Sequence, residues 1–216
     1  MTHSIDLFWS IRSPYSYIVT PKLIELERDY EAKVEVRPVL PIAVRQPDFF
    51  ANADPLWFGY LMRDCKRSAE FAGLPLRWPR PDPVVMDMAT RTYRKEQPYI
   101  HRLTRLGQLA SERGFGLALL RQVSHLIWSG EVDAWHEGDH LAKAVASAGG
   151  DLTEMDRAIA DEAERLDAAI KKNEADQRTG GHYGVPLMVY EGEPFFGQDR
   201  YDQLVWRMQQ QGMQAR

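Results

Sequence analysis

Short apolar segments near the start of the chain alternate with a longer segment of helical periodicity. Residues 4–10 form an apolar run and residues 34–40 alternate apolar with polar side chains, so both segments predict strands. Between them, residues 14–31 carry apolar side chains at helical spacing. Pro21 within this helix predicts a kink, because proline removes one backbone hydrogen bond. A strand, a helix and a strand of these lengths predict a parallel βαβ unit.

The middle of the chain, from about residue 45 to 178, has a helical pattern with almost no strand signal. Prolines make residues 74–84 an extended connection. Thr153, with an acidic residue three positions later, is predicted to be a helix N-cap. Residues 161–178 are mostly charged and predict a solvent-exposed helix face. The predicted helices are 56–72, 87–112, 116–129, 137–148 and 154–177.

Strand character returns after residue 180. Residues 185–190 and 194–196 predict an antiparallel hairpin around a tight turn at 191–193. A last helix is predicted over residues 200–210. A βαβ unit and a ββα unit therefore flank a helical middle.

Composition narrows the class of protein. The 216 residues are 44% hydrophobic and 27% charged, with a formal net charge of −4. This balance predicts a sizeable core and no nucleic-acid partner, which would favour clustered basic residues. The apolar runs are too short to cross a bilayer, and the N-terminal residues show no secretory signal. Cys65 is the single cysteine, which excludes an intrachain disulfide. These features predict a soluble cytoplasmic protein.

The turn between the first strand and the first helix is the leading candidate for chemistry. Residues 13–16 read SPYS, with two serines one helical turn apart. Unpaired backbone N–H groups and the positive end of the helix dipole favour an anion here, including a thiolate. Ser13 is either a plain N-cap or a hydrogen-bond donor to such an anion, and Ser16 is more consistent with a structural role.

The order of elements resembles the thioredoxin fold with a helical insertion. Proteins of that fold carry Cys-x-x-Cys at the start of the first helix, and Ser13 and Ser16 stand at the two cysteine positions. Pro21 stands at the position of the kinking proline of that helix. Pro186, within the sequence GVP, resembles the cis proline that faces the active site in this fold.

This resemblance implies an α/β thioredoxin-like fold with an all-helical insertion of the DsbA type. Residues 1–44 and 180–216 would form the discontinuous thioredoxin-like domain. Residues 45–179 would form the inserted helical domain.

Three segments resemble the group of 2-hydroxychromene-2-carboxylate isomerases and kappa-class glutathione transferases. Residues 8–17 read FWSIRSPYSY and resemble the group's F-x-S-P-x-S-Y start. Residues 60–67 and 73–76 read YLMRDCKR and GLPL, and resemble its Y-x-x-x-D-x-x-R…G-x-P segment. Residues 183–186 and 196–200 read YGVP and FGQDR, and resemble its F-G-V-P…F-x-G-x-D-R ending.

The resemblance to this group implies a glutathione cofactor and a set of residues that bind it. Ser13 would be the catalytic residue, donating a hydrogen bond to the glutathione sulfur and favouring the thiolate. The backbone of Val185, beside Pro186, would pair with the cysteinyl part as an added strand does. Asp199 would bind the ammonium group of the γ-glutamyl part, although a plain N-cap role stays open, and Arg200 would hold a carboxylate.

The implied activity is that of a glutathione-dependent isomerase acting on an aromatic or conjugated carbonyl substrate. Asn52 and Tyr15 are the candidate substrate contacts. A glutathione transferase of the kappa type is the alternative activity, and a non-catalytic thioredoxin-like binding module is the alternative of another class. The group also implies a homodimer.

The sequence argues against two other activities. Residues 136–140 read HEGDH and match the H-E-x-x-H signature of zinc proteases. Gly138 weakens the helix that must present both histidines, so a polar surface segment is predicted there and no metal. A thiol–disulfide oxidoreductase of the DsbA type is disfavoured because serine occupies both cysteine positions.

Overall fold

The computed structural model describes residues 2–87, 90 and 92–216. In chain order its elements are β1 (His3–Trp9), α1 (Pro14–Asp29), β2 (Ala32–Pro38), α2 (Ile42–Arg45), α3 (Pro55–Phe71), β3 (Met86–Asp87), β4 (Thr92–Tyr93), α4 (Ile100–Glu112), α5 (Gly116–Trp128), α6 (His140–Ser147), α7 (Leu152–Asp161), α8 (Ala163–Thr179), β5 (Leu187–Tyr190), β6 (Glu193–Phe196), a 3-10 turn (Gln198–Arg200) and α9 (Tyr201–Gln210).

Both ends of the chain contribute to one mixed four-stranded sheet, in the order β2-β1-β5-β6. β1 and β2 pair in parallel through α1, which confirms the predicted βαβ unit. β5 pairs antiparallel with both β1 and β6, which confirms the predicted hairpin. Glu191 and Gly192 in its turn have φ of 50° and 81°, a left-handed pair typical of a two-residue hairpin. The α/β thioredoxin-like fold with a helical insertion is therefore confirmed.

Helix α1 is held against the sheet by its apolar face and by one buried indole. Tyr17, Leu23 and Leu26 have no exposed surface, and they pack in the main core. The Nε1–H of Trp9 donates to the carbonyl oxygen of Ser16 at 3.1 Å and to Oγ1 of Thr20 at 3.2 Å. Because Ser16 lies in the first turn of α1, this bond fixes the end of the helix that carries the SPYS sequence.

The inserted helices also reach that end of the sheet. Helix α5 packs on α1, and the buried Trp128 at its end donates from Nε1 to the carbonyl oxygen of Ile11 at 2.8 Å. Ile11 precedes the SPYS sequence by two residues. The insertion therefore supports the turn between β1 and α1 directly. The predicted boundaries of the two domains remain a prediction.

The expectation of an uninterrupted helix over 87–112 is wrong. Residues 86–87 and 92–93 form a short antiparallel pair, and α4 begins only at Ile100. Residues 88, 89 and 91 lie outside the described part of the chain. The Gln97 side chain bonds to both backbone groups of Val85, at 2.8 Å and 2.9 Å, and so closes this segment as a loop. The middle of the chain therefore contains strand structure that its periodicity does not show.

Two further expectations for the middle need correction. The helix predicted over 154–177 is two helices, and the first starts at Leu152 with Asp151 as its N-cap, not Thr153. The Asp151 carboxylate accepts from the Glu154 N–H at 3.0 Å. The helix predicted over 137–148 begins three residues later, at His140.

Helix α8 is not only a solvent-exposed face. Leu166, Ile170, Asn173 and Gln177 form a buried stripe along it. The Asn173 amide donates to the carbonyl oxygen of Pro38 at 3.0 Å. The charged residues of α8 occupy the remaining surface. The charge pattern alone therefore does not show that this helix packs beside the sheet.

The described helices include none with both the length and the apolar character needed to span a bilayer.

Candidate functional site

Ser13 stands at the N-cap of α1, facing the loop that precedes β5. Its Oγ accepts from the Ser16 N–H at 3.2 Å and donates to the carbonyl oxygen of Val185 at 3.4 Å. Ser16 is fully buried, and its own hydroxyl has no partner among the described residues. The two serines that stand at the cysteine positions thus differ in exposure. Ser13 lines a cavity, whereas Ser16 is buried.

The Val185–Pro186 peptide bond is cis, as the resemblance implies. A cavity of about 280 Å³ lies between this loop and the start of α1. Ser10, Ser13, Tyr15 and Val185 are among the residues that line it. The aromatic and charged side chains of its other walls are Arg12, Arg45, Phe49, Phe50, Trp57, His182, Tyr183 and Phe196.

Arg45 and Gln177 hold the loop that precedes the cis proline. Arg45 donates from Nη1 to Oε1 of Gln177 at 2.9 Å and from Nη2 to the carbonyl oxygen of Tyr183 at 3.0 Å. Gln177 is fully buried and donates from Nε2 to the carbonyl oxygen of Gly184 at 2.7 Å. One arginine and one glutamine therefore satisfy two consecutive carbonyl groups of the loop.

Arg45 also brings a positive charge to the cavity wall, which the nearby Glu174 carboxylate offsets in part. Its Nε is buried and has no hydrogen-bond partner in the described part of the chain. Burial lowers the pKa of its guanidinium below the ordinary value, and an arginine remains protonated even so. The hydrogen-bond partners of its two Nη groups are both neutral, so this side chain favours an anionic or carbonyl group in the cavity.

Arg12, the other arginine of the cavity, is already neutralised. It forms a two-point ion pair with Asp82, with both N–O distances 2.8 Å, and lies over the Trp78 ring. Asp82 also accepts from the Trp78 Nε1–H at 3.0 Å. Arg12 lines both the main cavity and a second one of about 190 Å³, and Trp78 lines the second. The second cavity is lined mainly by apolar and aromatic groups, among them Phe50, Phe58, Leu61, Trp78, Met86 and Tyr93.

His182 lies in the same loop, with a well-defined set of contacts. Its Nδ1 accepts from the Gly184 N–H at 2.9 Å. Its ring stacks on Phe196, with centroids 3.7 Å apart, and on Tyr183, with centroids 4.7 Å apart. A Cβ on Gly184 would lie 2.5 Å from the Phe196 ring, so this close stacking requires glycine.

Tyr15 connects the turn to helix α3. Its hydroxyl donates to Oδ2 of Asp64 at 2.7 Å, and Asp64 also accepts from Tyr60 at 3.2 Å and from Arg67. Burial, the Asp64 hydrogen bond and the Asp64 charge together raise the pKa of Tyr15, so the phenol stays neutral. Burial opposes ionisation of Asp64, but the hydrogen bonds from Tyr15, Arg67 and Tyr60 outweigh it and lower the pKa of that carboxyl.

The structure brings only part of the predicted site together. Ser13, Tyr15 and Val185 line the main cavity. Asn52 lines a neighbouring open groove that shares Phe49 and Trp57 with that cavity. The cis Pro186 is buried behind Val185. Asp199 and Arg200 are exposed, pair with each other at 2.9 Å, and lie outside the main cavity's described lining. Their predicted roles remain predictions.

The H-E-x-x-H sequence is not presented by a helix. His136 lies in a turn, Gly138 has φ of 57°, and His140 is the first residue of α6. Within the described ranges, no group of three histidine, cysteine or acidic side chains is arranged to hold a metal ion.

Sequence reasoning missed Arg45, Gln177 and His182. Arg45 lies in the short helix α2, which no periodicity predicted. Gln177 lies in a segment whose charged residues predict a solvent-exposed helix face. The signal for His182 was present, because it lies four residues before the cis proline and therefore in the loop that faces Ser13.

The family model described as a DSBA-like thioredoxin domain matches residues 4–209. No protein with a curated description matched the sequence. The solved structures similar to this one include a 2-hydroxychromene-2-carboxylate isomerase, with a TM-score of 0.68 and 22% identity over 96% of this chain and 95% of that one.

Oxidoreductases with similar structures were also found. A probable DsbA oxidoreductase from Streptomyces coelicolor has a TM-score of 0.68 and 18% identity, over 96% of this chain and 89% of that one. The cytosolic disulfide reductase DsbM from Pseudomonas aeruginosa, solved with GSH, has a TM-score of 0.60 and 16% identity, over 96% of this chain and 98% of that one. These identities show a shared fold. Because the family model matches almost the whole length of this chain, the chain belongs to the DsbA-like thioredoxin domain family.

Proposed function

We propose that this protein is a glutathione-dependent isomerase that acts on an aromatic, conjugated carbonyl substrate. The observation that carries the proposal is the position of Ser13. Its hydroxyl lies at the N-terminus of α1, against the cis-proline loop and on the wall of the main cavity, where a redox protein of this family has its cysteine. With serine at both cysteine positions, the reactive sulfur has to come from a bound thiol.

The backbone around Val185 fits the cysteinyl part of glutathione. The Val185 N–H has no acceptor among the described residues, and its carbonyl oxygen has only the long 3.4 Å bond from Ser13. An extended peptide can take both groups as an added strand does. Once a peptide N–H donates to the Val185 carbonyl, the Ser13 hydroxyl is free to donate to a sulfur atom.

The chemistry divides between cofactor and protein. When bound, glutathione supplies a thiolate that adds reversibly to a conjugated carbonyl compound, which lets the former double bond rotate before the thiolate leaves. Ser13 and the N–H groups at the start of α1 stabilise the thiolate over the thiol. Tyr15 stays neutral and fixed by Asp64, so it contributes an uncharged wall.

The substrate class follows from the two cavities. The aromatic lining of the second cavity, which shares Arg12, Phe50 and Leu61 with the first, favours a flat apolar ring. Arg45 favours a carboxylate on the same substrate, because both of its hydrogen-bond partners in the described chain are neutral. Replacing Arg45 with methionine should raise KM for a carboxylate substrate more than for its neutral ester.

We propose that Asp199 binds the ammonium group of glutathione and that Arg200 binds one of its carboxylates. Both follow β6, whose last residue Phe196 lines the cavity. Asp199→Asn should weaken glutathione binding without changing the turnover of the saturated protein.

A glutathione transferase uses the same site and differs in releasing the glutathione conjugate instead of the rearranged substrate. The observation that favours keeping this alternative is the second cavity, whose aromatic and apolar lining suits a flat electrophile. Product analysis by mass spectrometry separates the two outcomes, since a transferase product carries the mass of glutathione.

The test compares two serine variants. Ser13→Ala should lower isomerase turnover about 100-fold, as loss of a donor to a developing anion does, while the Kd for glutathione changes little. Ser16→Ala, whose hydroxyl has no partner, is the matched control and should keep its turnover. Glutathione binding by the wild type with no turnover of any conjugated carbonyl would favour a binding module, and absence of binding would refute the proposal.

A further inference from the structure

We propose that His182 is a second functional side chain of the site, whose Nε2–H donates a hydrogen bond to the carbonyl oxygen of the substrate. This inference rests on the proposed isomerase function and adds a residue to it. The role differs from that of Ser13, which serves the sulfur atom.

The tautomer of His182 follows from its hydrogen bond. Nδ1 accepts from the Gly184 N–H at 2.9 Å, so it cannot carry a proton in this arrangement. A neutral imidazole then has its proton on Nε2. Burial lowers the pKa of His182 from its ordinary value, and protonation would also break the bond to Gly184. At neutral pH the ring is therefore an uncharged Nε2–H donor.

The orientation of the ring is also fixed. Phe196 and Tyr183 stack on it with interplanar angles of 22° and 14°. Arg45 and Gln177 anchor the two carbonyl groups that follow His182 in the chain. Nδ1 already has a hydrogen-bond partner and the ring stacks on two aromatic neighbours. Nε2 is therefore the ring nitrogen that can bond to a ligand. It has no partner among the described residues and is not buried.

The location of His182 suits the carbonyl oxygen of the substrate better than the sulfur of glutathione. Ser13 projects from α1, whereas His182 lies on the loop before the cis proline, and both line the main cavity. When a thiolate adds to a conjugated carbonyl compound, the electron pair of the double bond moves to the carbonyl oxygen. A neutral, preorganised donor stabilises this negative charge without transferring its proton, so the step needs no further co-reactant.

Two substitutions separate this role from a structural one. In His182→Asn the amide oxygen replaces Nδ1 as acceptor for the Gly184 N–H, but the donor at Nε2 is lost. In His182→Gln the amide nitrogen approaches the place of Nε2, but the acceptor for Gly184 is lost. The inference predicts that Asn lowers kcat about 100-fold and that Gln retains more activity than Asn. A purely structural role predicts the reverse order.

A spectroscopic measurement tests the contact without turnover. The protein is saturated with S-methylglutathione, whose sulfur cannot add, and trans-4-phenyl-3-buten-2-one is bound as the conjugated ketone. The carbonyl infrared band of the ketone should lie at lower wavenumber in the wild type than in His182→Asn, with His182→Gln between them.

The outcomes distinguish the two proposals. Failure of glutathione and S-methylglutathione to bind would refute the proposed function. Normal glutathione binding, with the same carbonyl band and the same kcat in wild type and His182→Asn, would refute the role of His182 alone. Failure of the ketone to bind the saturated wild-type protein would also overturn that role.

Discussion

Ser13 and Ser16 show how one residue type takes two roles within a single helical turn. Ser13 is an N-cap whose hydroxyl reaches the cavity, whereas Ser16 is fully buried and contributes its backbone N–H to that cap. The sequence favours a structural role for Ser16, and its burial is consistent with that role.

At the same scale, Gln177 is expected to stabilise the site loop. Gln177→Leu leaves the Gly184 carbonyl and the Arg45 Nη1 without partners, which should cost about 1–3 kcal/mol in the free energy of unfolding. Denaturant unfolding measures the change. Gln209→Leu on the exposed surface of α9 is the control and should stay within about 0.5 kcal/mol of the wild type. Equal effects from the two variants would contradict the loop's dependence on Gln177.

The ionisation of Asp64 should make the free energy of unfolding depend on pH. Because its folded-state pKa is lowered, its contribution to stability is present above the pKa of an unfolded aspartate, about 3.9, and is lost as pH falls through the folded value. Asp64→Asn should cost about 1–3 kcal/mol at pH 7, and the difference from wild type should shrink towards pH 3. Asp202→Asn, at an 87% exposed side chain, is the control. A constant difference across this range would contradict the lowered pKa.

At the scale of elements, the N-terminus of α7 offers a direct test of the corrected helix boundary. Asp151→Ala removes the side-chain cap and should cost about 1 kcal/mol in unfolding free energy. Thr153→Ala, at the residue that the sequence pattern favoured as the cap, should have a much smaller effect. The reverse order in thermal or denaturant unfolding would restore the boundary predicted from the sequence.

Elements with long, regular apolar patterns were predictable, and those held by single side chains were not. α1 and the parallel pair β1–β2 follow from periodicity alone. The short pair β3–β4 depends on Gln97 closing a loop, which leaves no periodic trace. α8 hides its packing because two of its buried residues, Asn173 and Gln177, are polar.

At the scale of the whole molecule, the fold was predictable because strand patterns occur at both ends of the chain and the helical pattern occupies the middle. Ser13 and Val185, which the sequence assigns to one site, lie 3.4 Å apart between hydroxyl and carbonyl oxygens, and their roles remain predictions. Arg45 was not predicted, because its role depends on a contact with a loop 138 residues away in the chain.

A homodimer remains a prediction. Leu56 and Phe71 on α3 are 81% and 91% exposed, and we test them as contacts of the predicted dimer. Sedimentation velocity should give about twice the mass of the 24.9 kDa chain, and Leu56→Glu with Phe71→Glu should shift the protein towards the monomer. A monomeric wild type would contradict the prediction.

The ionisation of bound glutathione tests the central claim most directly. Thiolate absorbance near 240 nm, followed against pH, reports the pKa of the bound thiol. The account predicts a value below about 7.5 in the wild type, against about 8.5 for a free cysteine thiol, and a return towards the free value in Ser13→Ala with glutathione still bound. A bound thiol that titrates like free glutathione in both proteins would contradict a catalytic role for Ser13.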